Sequence, residues 1–110
     1  MAHDERLAER VRATLIGAPE LDEKRMFGGI GFMVRGNMAC GILGPDIIVR
    51  LSPARDQEAL AQPGVRPFAM PGRQPMAGWV RVGPEGHGDD EALRRWIQWG
   101  VDYALSLPAK

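Results

Sequence analysis

The side chains that could support catalysis or metal binding are few and lie far apart in the sequence. Cys40 is the one cysteine, and it stands in an apolar run, which favours a buried and unreactive thiol. A cysteine nucleophile needs a histidine base, but His3 and His87 both lie in polar segments. His87 together with Asp89 and Asp90 makes a poor metal cage, and an aspartate at this position is better explained as a helix cap. We therefore expect no enzymatic activity, no metal and no cofactor.

A glycine-rich run, Gly28-Gly29-Ile30-Gly31, raises the question of a phosphate-binding loop. Such loops follow a strand and open a helix, so that backbone N–H groups and the helix N-terminus face the phosphates. Here a strand pattern follows the glycines, and the sixth position of a G-x-G-x-x-G motif that begins at Gly29 is Val34. The run therefore predicts a β-bulge or a close approach of the backbone to a packed helix, with a peptide- or ligand-docking surface as the alternative.

The arginines in the middle of the chain are the strongest candidates for a binding surface. Residues 25–83 contain seven arginines against three carboxylates, a net charge of +4, whereas residues 1–24 and 84–110 each carry −2. Strand alternation predicts that Arg50 and Arg81 project from an open sheet face. Such a face would meet nucleic acid or an acidic protein patch, and the alternative is a solvated face whose charges prevent edge association. The candidate interaction surface consists of Arg35, Arg50, Arg81 and Trp99.

Hydrophobic periodicity and turn residues predict the elements that would position these side chains. Helices are expected at 4–16, at 53–61 and from 89 or 90 onward, and strands at 30–34, 38–43, 47–51, 65–70 and 79–82. Residues 17–24 are predicted to be a polar connection and residues 83–88 a loop. Because hairpin-length links indicate an antiparallel sheet, we predict an α+β fold with five strands and with helices packed on one face.

Two details of this prediction concern the first hairpin and the last helix. Gly36-Asn37 is the expected two-residue turn, which would place Phe32 opposite Gly41. In the last helix Trp96 falls on the apolar stripe, whereas Trp99 lies off its centre. Trp99 is therefore expected to be partly exposed, either at a subunit contact or at the periphery of the core.

Composition limits the class of protein. The 110 residues suffice for one domain, and 45% hydrophobic with 25% charged residues is typical of a folded chain, so a single domain over 1–110 is expected. Fourteen cations balance fourteen carboxylates, which excludes a uniformly basic, histone-like protein. The single cysteine, the polar N-terminus and the lack of a long apolar run predict a cytoplasmic protein without a membrane partner.

One run of residues, Met26-Phe27-Gly28-Gly29-Ile30-Gly31-Phe32, resembles the N-terminal domain of the TfoX/Sxy family, which is named for bacterial regulators of natural competence. The resemblance continues to the last helix through 36–39, 47–51, 67–68, 75–80 and 106–108. Its specific part is the Met-Phe-Gly-Gly sequence. The motif residues are interpreted as fold-forming: Met26, Phe27, Gly28, Gly29, Gly31, Phe32 and Gly36.

The resemblance implies a fold of the order α-β(3)-α-β(2)-α, similar to secretion-chaperone-like domains, and periodicity independently predicts the same order. It also implies a role in transcription alongside the cyclic-AMP receptor protein, without an established enzymatic activity. The longer regulators carry a second, helical C-terminal domain, whereas this chain ends at Lys110. A stand-alone domain is therefore expected.

These patterns favour a non-enzymatic protein-interaction module, with the role in transcriptional regulation that the resemblance implies. Direct nucleic-acid binding through the arginine-bearing sheet face is the alternative, although Trp79 and Phe68 are the only obvious stacking aromatics. A small-molecule-binding protein or an undetected enzyme would require a concave pocket with converging polar groups. The expected partner is a protein, and a homodimer would form through an edge strand or through the Trp99 surface.

Overall fold

The structure is a computed structural model that describes residues 4–26, 28–69 and 72–109. Its helices are α1 (Glu5–Thr14), α2 (Asp56–Leu60, preceded by a 3₁₀ turn at Pro53–Arg55), α3 (Pro84–His87) and α4 (Asp90–Ser106). Its strands are β1 (Leu21–Met26), β2 (Gly29–Val34), β3 (Asn37–Leu43), β4 (Asp46–Arg50), β5 (Val65–Pro67) and β6 (Trp79–Val82). The strands form one antiparallel sheet in the order β1-β2-β3-β4-β6-β5, so the α+β prediction is confirmed.

Over the described residues the sheet has six strands, and the prediction of five was wrong. The additional strand is β1, which pairs antiparallel with β2 in a segment where a polar connection was predicted. Its sequence, LDEKRM, lacks the apolar alternation that identifies a strand, because β1 lies at the sheet edge and most of its side chains are exposed. Charged residues on an edge strand deter pairing with other chains. A short helix, α3, likewise replaces the loop predicted at 83–88.

The hairpin between β2 and β3 also differs from the prediction. Its two-residue turn is Arg35-Gly36, with φ of 52° and 81°, and a turn with two positive φ values matches the twist of the flanking strands. Phe32 consequently lies opposite Cys40, and Gly41 lies opposite Gly31. Ala39 is an extra residue on β3, between the Phe32–Cys40 and Met33–Met38 pairs, and it forms a β-bulge. Strict alternation of side chains along the strand does not predict this bulge.

One face of the sheet packs against the helices. Alternate strand residues such as Phe32, Ile42 and Val49 are fully buried there together with Val11 of α1 and Trp96 of α4. Burial of apolar surface on this scale is the main stabilising contribution to a fold of this size. The opposite face carries a smaller apolar cluster, which consists of Met38, Ile48 and Phe68 with Met26, Met33, Leu43 and Trp79 around it.

Polar links tie the helices and the C-terminal segment to the sheet. Asp4 caps α1, and Asp89 caps α4 by accepting a hydrogen bond from the backbone N–H of Ala92, so the aspartate cap predicted before the last helix is confirmed. The Nδ2 of Asn37 donates to the carbonyl oxygen of Pro108 at 2.9 Å, which holds the C-terminal segment against the start of β3. No helix in the described part of the chain is long and apolar enough to cross a membrane.

Candidate interaction surface

Two glycines of the family motif, Gly29 and Gly31, lie close to atoms of the neighbouring strands. A Cβ on Gly29 would stand 1.9 Å from the carbonyl oxygen of Ile42, and a Cβ on Gly31 would stand 2.6 Å from the sulfur of Met26. Gly28 has a φ of 80°, a conformation that favours glycine. The lack of a side chain at Gly29 and Gly31 therefore permits the close approach of β3 and β1 to β2, which gives these two glycines a steric function in the sheet.

The other motif residues also lie within the hairpin region. Phe32 is fully buried among the residues that face the helices, and Met26 is half-buried on the opposite face, against Gly31. Gly36 has a φ of 81° and completes the turn of the hairpin. Phe27 lies outside the described residues.

Two of the four residues expected to form an interaction surface are engaged by carboxylates. The Nε of Arg81 donates to Asp46 at 2.5 Å, and Arg66 donates to the same carboxylate oxygen at 3.0 Å. Asp46 is buried, so it is a shared counter-ion for both cations. Arg35 lies in the β2–β3 turn, where its Nε is 3.7 Å from Glu20. Neither Arg35 nor Arg81 therefore presents a fully uncompensated charge.

Arg50 is held in a different way, by aromatic rings. It ends β4 directly opposite Trp79 of β6, and its guanidinium carbon lies 5.2 Å from the centroid of that ring. The same carbon lies 5.5 Å from the centroid of Tyr103 on α4. Both distances permit cation–π attraction. Among the ion pairs of the described residues none includes Arg50.

Trp99 is half-buried, as its position off the apolar stripe predicts, and it too is flanked by cations. The guanidinium of Arg55 lies 4.6 Å and that of Arg95 lies 5.4 Å from the Trp99 ring centroid. Arg95, Trp99 and Tyr103 succeed one another at four-residue intervals along α4, which places them on one side of the helix. Ser52 caps the 3₁₀ turn that carries Arg55 and so fixes this side of the contact.

These side chains form one continuous band, which we call the arginine–aromatic surface and define by Arg50, Arg55, Trp79, Trp99 and Tyr103. A depression of about 330 Å³ lies within it. Its lining residues are Ser52, Arg55, Trp99, Asp102, Tyr103 and Ser106. Of the residues expected from the sequence, Arg50 and Trp99 belong to this surface and Arg35 and Arg81 do not.

The contributions of Tyr103, Arg55 and Arg95 were missed by sequence reasoning. The spacing of four residues from Trp99 to Arg95 and to Tyr103 is a signal that could have found two of them, because residues four apart are neighbours on a helix. Arg55 had no such signal, since it approaches Trp99 from a different element that is 44 positions earlier in the chain.

The residues considered first for catalysis are placed apart from this surface. Cys40 is fully buried, and desolvation raises the pKa of its thiol to about 12. His87 is also buried, and its Nε2 donates to the carbonyl oxygen of Pro45 at 2.8 Å. Within the described ranges no three side chains from histidine, cysteine, aspartate and glutamate come together as a metal-binding group.

Comparison with known proteins identifies one family. Its model, described as the TfoX N-terminal domain, matches residues 13–104 of the 110. The match includes β1 to β6 and most of α4, and therefore every residue of the arginine–aromatic surface. No curated protein matches the chain.

Proposed function

Because the chain belongs to the TfoX N-terminal domain family, we propose that it is a non-enzymatic module that binds another protein through the arginine–aromatic surface. The observation that carries this proposal is Arg50, a half-buried cation held between Trp79 and Tyr103 and without a carboxylate partner in the described part of the chain. We place the module in the cytoplasm, which the single cysteine and the polar N-terminus favour, and in transcriptional regulation, as the resemblance to competence regulators implies.

The composition of this surface supports binding to a protein. Tryptophan, tyrosine and arginine are the residues that contribute most to binding free energy at protein interfaces. Here Trp99 and Tyr103 are half-buried, so their rings are already ordered before a partner arrives. Contacts between Arg55 and Trp99 and between Arg50 and Tyr103 hold the cations as well. Ordered side chains lose less conformational entropy on binding, which favours affinity.

Nucleic-acid binding is the second candidate, and it rests on the face of the sheet that is turned away from the helices. Arg50, Arg66 and Arg81 lie on this face on neighbouring strands, with Asp46 as the buried counter-ion, which leaves a net charge of +2 on this patch. Trp79 adjoins them and offers a stacking surface. This candidate predicts an affinity that falls steeply with rising salt concentration.

A photo-crosslinking amino acid placed in the living cell tests the proposal. It is introduced at Ser106, on the rim of the depression, and in a separate variant at Glu9, an exposed position of α1 outside the surface. We expect a protein adduct from position 106 that is absent from position 9 and that disappears when Arg50→Gln is added. Adducts that are equal at both positions, or an adduct at 106 that nuclease removes, would contradict a protein-binding function for this surface.

A further inference from the structure

Arg50 and Arg55 supply the charge that defines which partner fits the surface. Among the described residues Arg50 has no ion-pair partner, and its guanidinium lies near the rings of Trp79 and Tyr103. Arg55 pairs at 3.6 Å with Glu58, and both side chains are about half exposed. An exposed ion pair of this kind contributes little to stability, so Arg55 can readily exchange Glu58 for a carboxylate of a partner. A carboxylate can accept two parallel hydrogen bonds from a guanidinium, and such charge-assisted bonds are about twice as strong as neutral ones.

The depression beside Arg55 is suited to an apolar side chain, and Tyr103, one of its lining residues, is also in contact with Arg50. Trp99 and Tyr103 line it from consecutive turns of α4, and Arg55 closes one side. Its volume of about 330 Å³ lies at the lower end of the range for ligand pockets, so it has room for a side chain rather than for a cofactor. An aliphatic or aromatic residue seated there would have charged neighbours on the arginine side.

The acidic residues at the same place argue for a peptide and against a nucleic-acid strand. Asp102 lines the depression beside Trp99, and Glu58 stands next to Arg55. The evenly spaced phosphates of a strand would pass close to these carboxylates, and such like-charge contacts are unfavourable. A peptide carries charge only where its acidic side chains lie, and its backbone N–H groups can donate to Asp102.

We propose that the arginine–aromatic surface binds an acidic, amphipathic peptide segment of a partner protein. Carboxylates of the segment contact Arg50 and Arg55, and an apolar side chain between them lies against Trp99 and Tyr103. This inference rests on the proposed function, since it names the chemistry of the partner that the same surface binds.

Binding of a synthetic probe tests the inference by fluorescence anisotropy. The probe is a short fluorescein-labelled peptide of Asp, Glu, Leu and Phe, and it is compared with a peptide in which Lys replaces every acidic residue and with oligothymidylate of the same length. We expect binding of the acidic peptide alone. The variants Arg50→Gln and Arg55→Gln should each weaken it about tenfold or more, since each removes a charge-assisted contact.

A matched variant separates these local effects from general electrostatics. Arg25→Gln removes one exposed positive charge from β1, which two strands separate from β4, and should change the affinity less than twofold. The Arg55 side chain is 46% exposed, so we expect Arg55→Gln to leave the protein folded. The Arg55 variant therefore still tests the inference if the Arg50 variant unfolds. Equal weakening by all three variants, or tighter binding of oligothymidylate, would overturn the inference.

The crosslinking and peptide-binding experiments together distinguish a failure of the inference from a failure of the proposed function. Protein adducts at position 106 without binding of the acidic probe would show that the module has a partner of different chemistry. Absence of both adducts and probe binding would contradict the proposed function and the inference together.

Discussion

At Gly100 we expect alanine to destabilise the protein, although alanine is normally preferred to glycine inside a helix. An alanine in a helix interior is normally about 1 kcal/mol more favourable than glycine. Gly100, however, lies where α4 crosses the bulge in β3, and a Cβ there would stand 2.3 Å from the carbonyl oxygen of Ala39. To reach an ordinary contact, α4 would have to retreat by about 1 Å from the sheet, which loosens the packing of the core.

The magnitude follows from these two opposing terms. Overpacking of a well-packed site costs about 1–3 kcal/mol, and the upper part of that range applies because the atom that is met belongs to the backbone and cannot rotate away. After subtraction of about 1 kcal/mol of helix preference, Gly100→Ala should lower the free energy of unfolding by about 1–2 kcal/mol.

Urea denaturation followed by tryptophan fluorescence measures this change, because Trp96 and Trp99 lie on the same helix. The control is Arg94→Ala, which replaces an exposed residue of α4 and should alter the free energy of unfolding by less than about 0.5 kcal/mol. If Gly100→Ala proved as stable as the unmodified protein or more stable, the close approach of α4 to Ala39 would not be a determinant of the fold.

Three further predictions concern buried polar and titratable groups. Cys40 should resist alkylation at pH 8 until the protein unfolds, and rapid labelling of the folded protein would refute this. Because the pKa of its thiol is about 12 in the folded protein and lower in the unfolded chain, the free energy of unfolding should fall as the pH rises above about 9. Asn37→Ala should cost about 1–2 kcal/mol in urea denaturation and speed carboxypeptidase digestion of the C-terminal segment; unchanged digestion would show that the bond to Pro108 anchors nothing. Arg81→Gln should lower the free energy of unfolding by about 1–2 kcal/mol and Arg66→Gln by less than about 0.5 kcal/mol, because the Arg81 side chain is 30% exposed and that of Arg66 is 63% exposed. The reverse order in urea denaturation would contradict the importance of the buried contact between Arg81 and Asp46.

Helices and strands whose apolar residues recur at a regular spacing were predictable from the sequence, and those without such a spacing were not. The apolar residues of α1 and α4 recur at helical spacing, and β4 and β6 are rich in β-branched residues, so these four were placed within a few positions. β1 was missed because an edge strand with two solvated faces has no apolar alternation to detect. Its stability comes from pairing with β2, which is a tertiary property.

The hairpin turn was misplaced for a related reason. Glycine adopts a positive φ at either turn position, so Gly36 suits both Gly36-Asn37 and Arg35-Gly36, and the sequence alone favours the pair with asparagine, which also tolerates a positive φ. In the structure Arg35 has a φ of 52°, and Asn37 begins β3 with its side chain bonded to the carbonyl oxygen of Pro108. This bond joins residues 71 positions apart, a contact that local turn preferences do not reveal.

The candidate surface was only half predictable, since charge along the sequence does not reveal ion pairing in the fold. Arg50 and Arg81 occupy equivalent alternate positions on the same face of the sheet. What distinguishes them is Asp46, whose buried carboxylate binds Arg81 and leaves Arg50 to the aromatic rings. That difference depends on which side chains neighbouring strands bring together.

The indole N–H signals of the three tryptophans provide the most direct test of the arginine–aromatic surface. In a ¹⁵N-edited NMR titration with the acidic peptide, Trp79 and Trp99 should shift and titrate together with the binding curve. Trp96 is the internal control, because it is fully buried and its N–H donates to the carbonyl oxygen of Gly86 at 3.0 Å, so its signal should move least. Shifts confined to residues of α1 and β1, with Trp79 and Trp99 unmoved, would contradict the assignment of this surface.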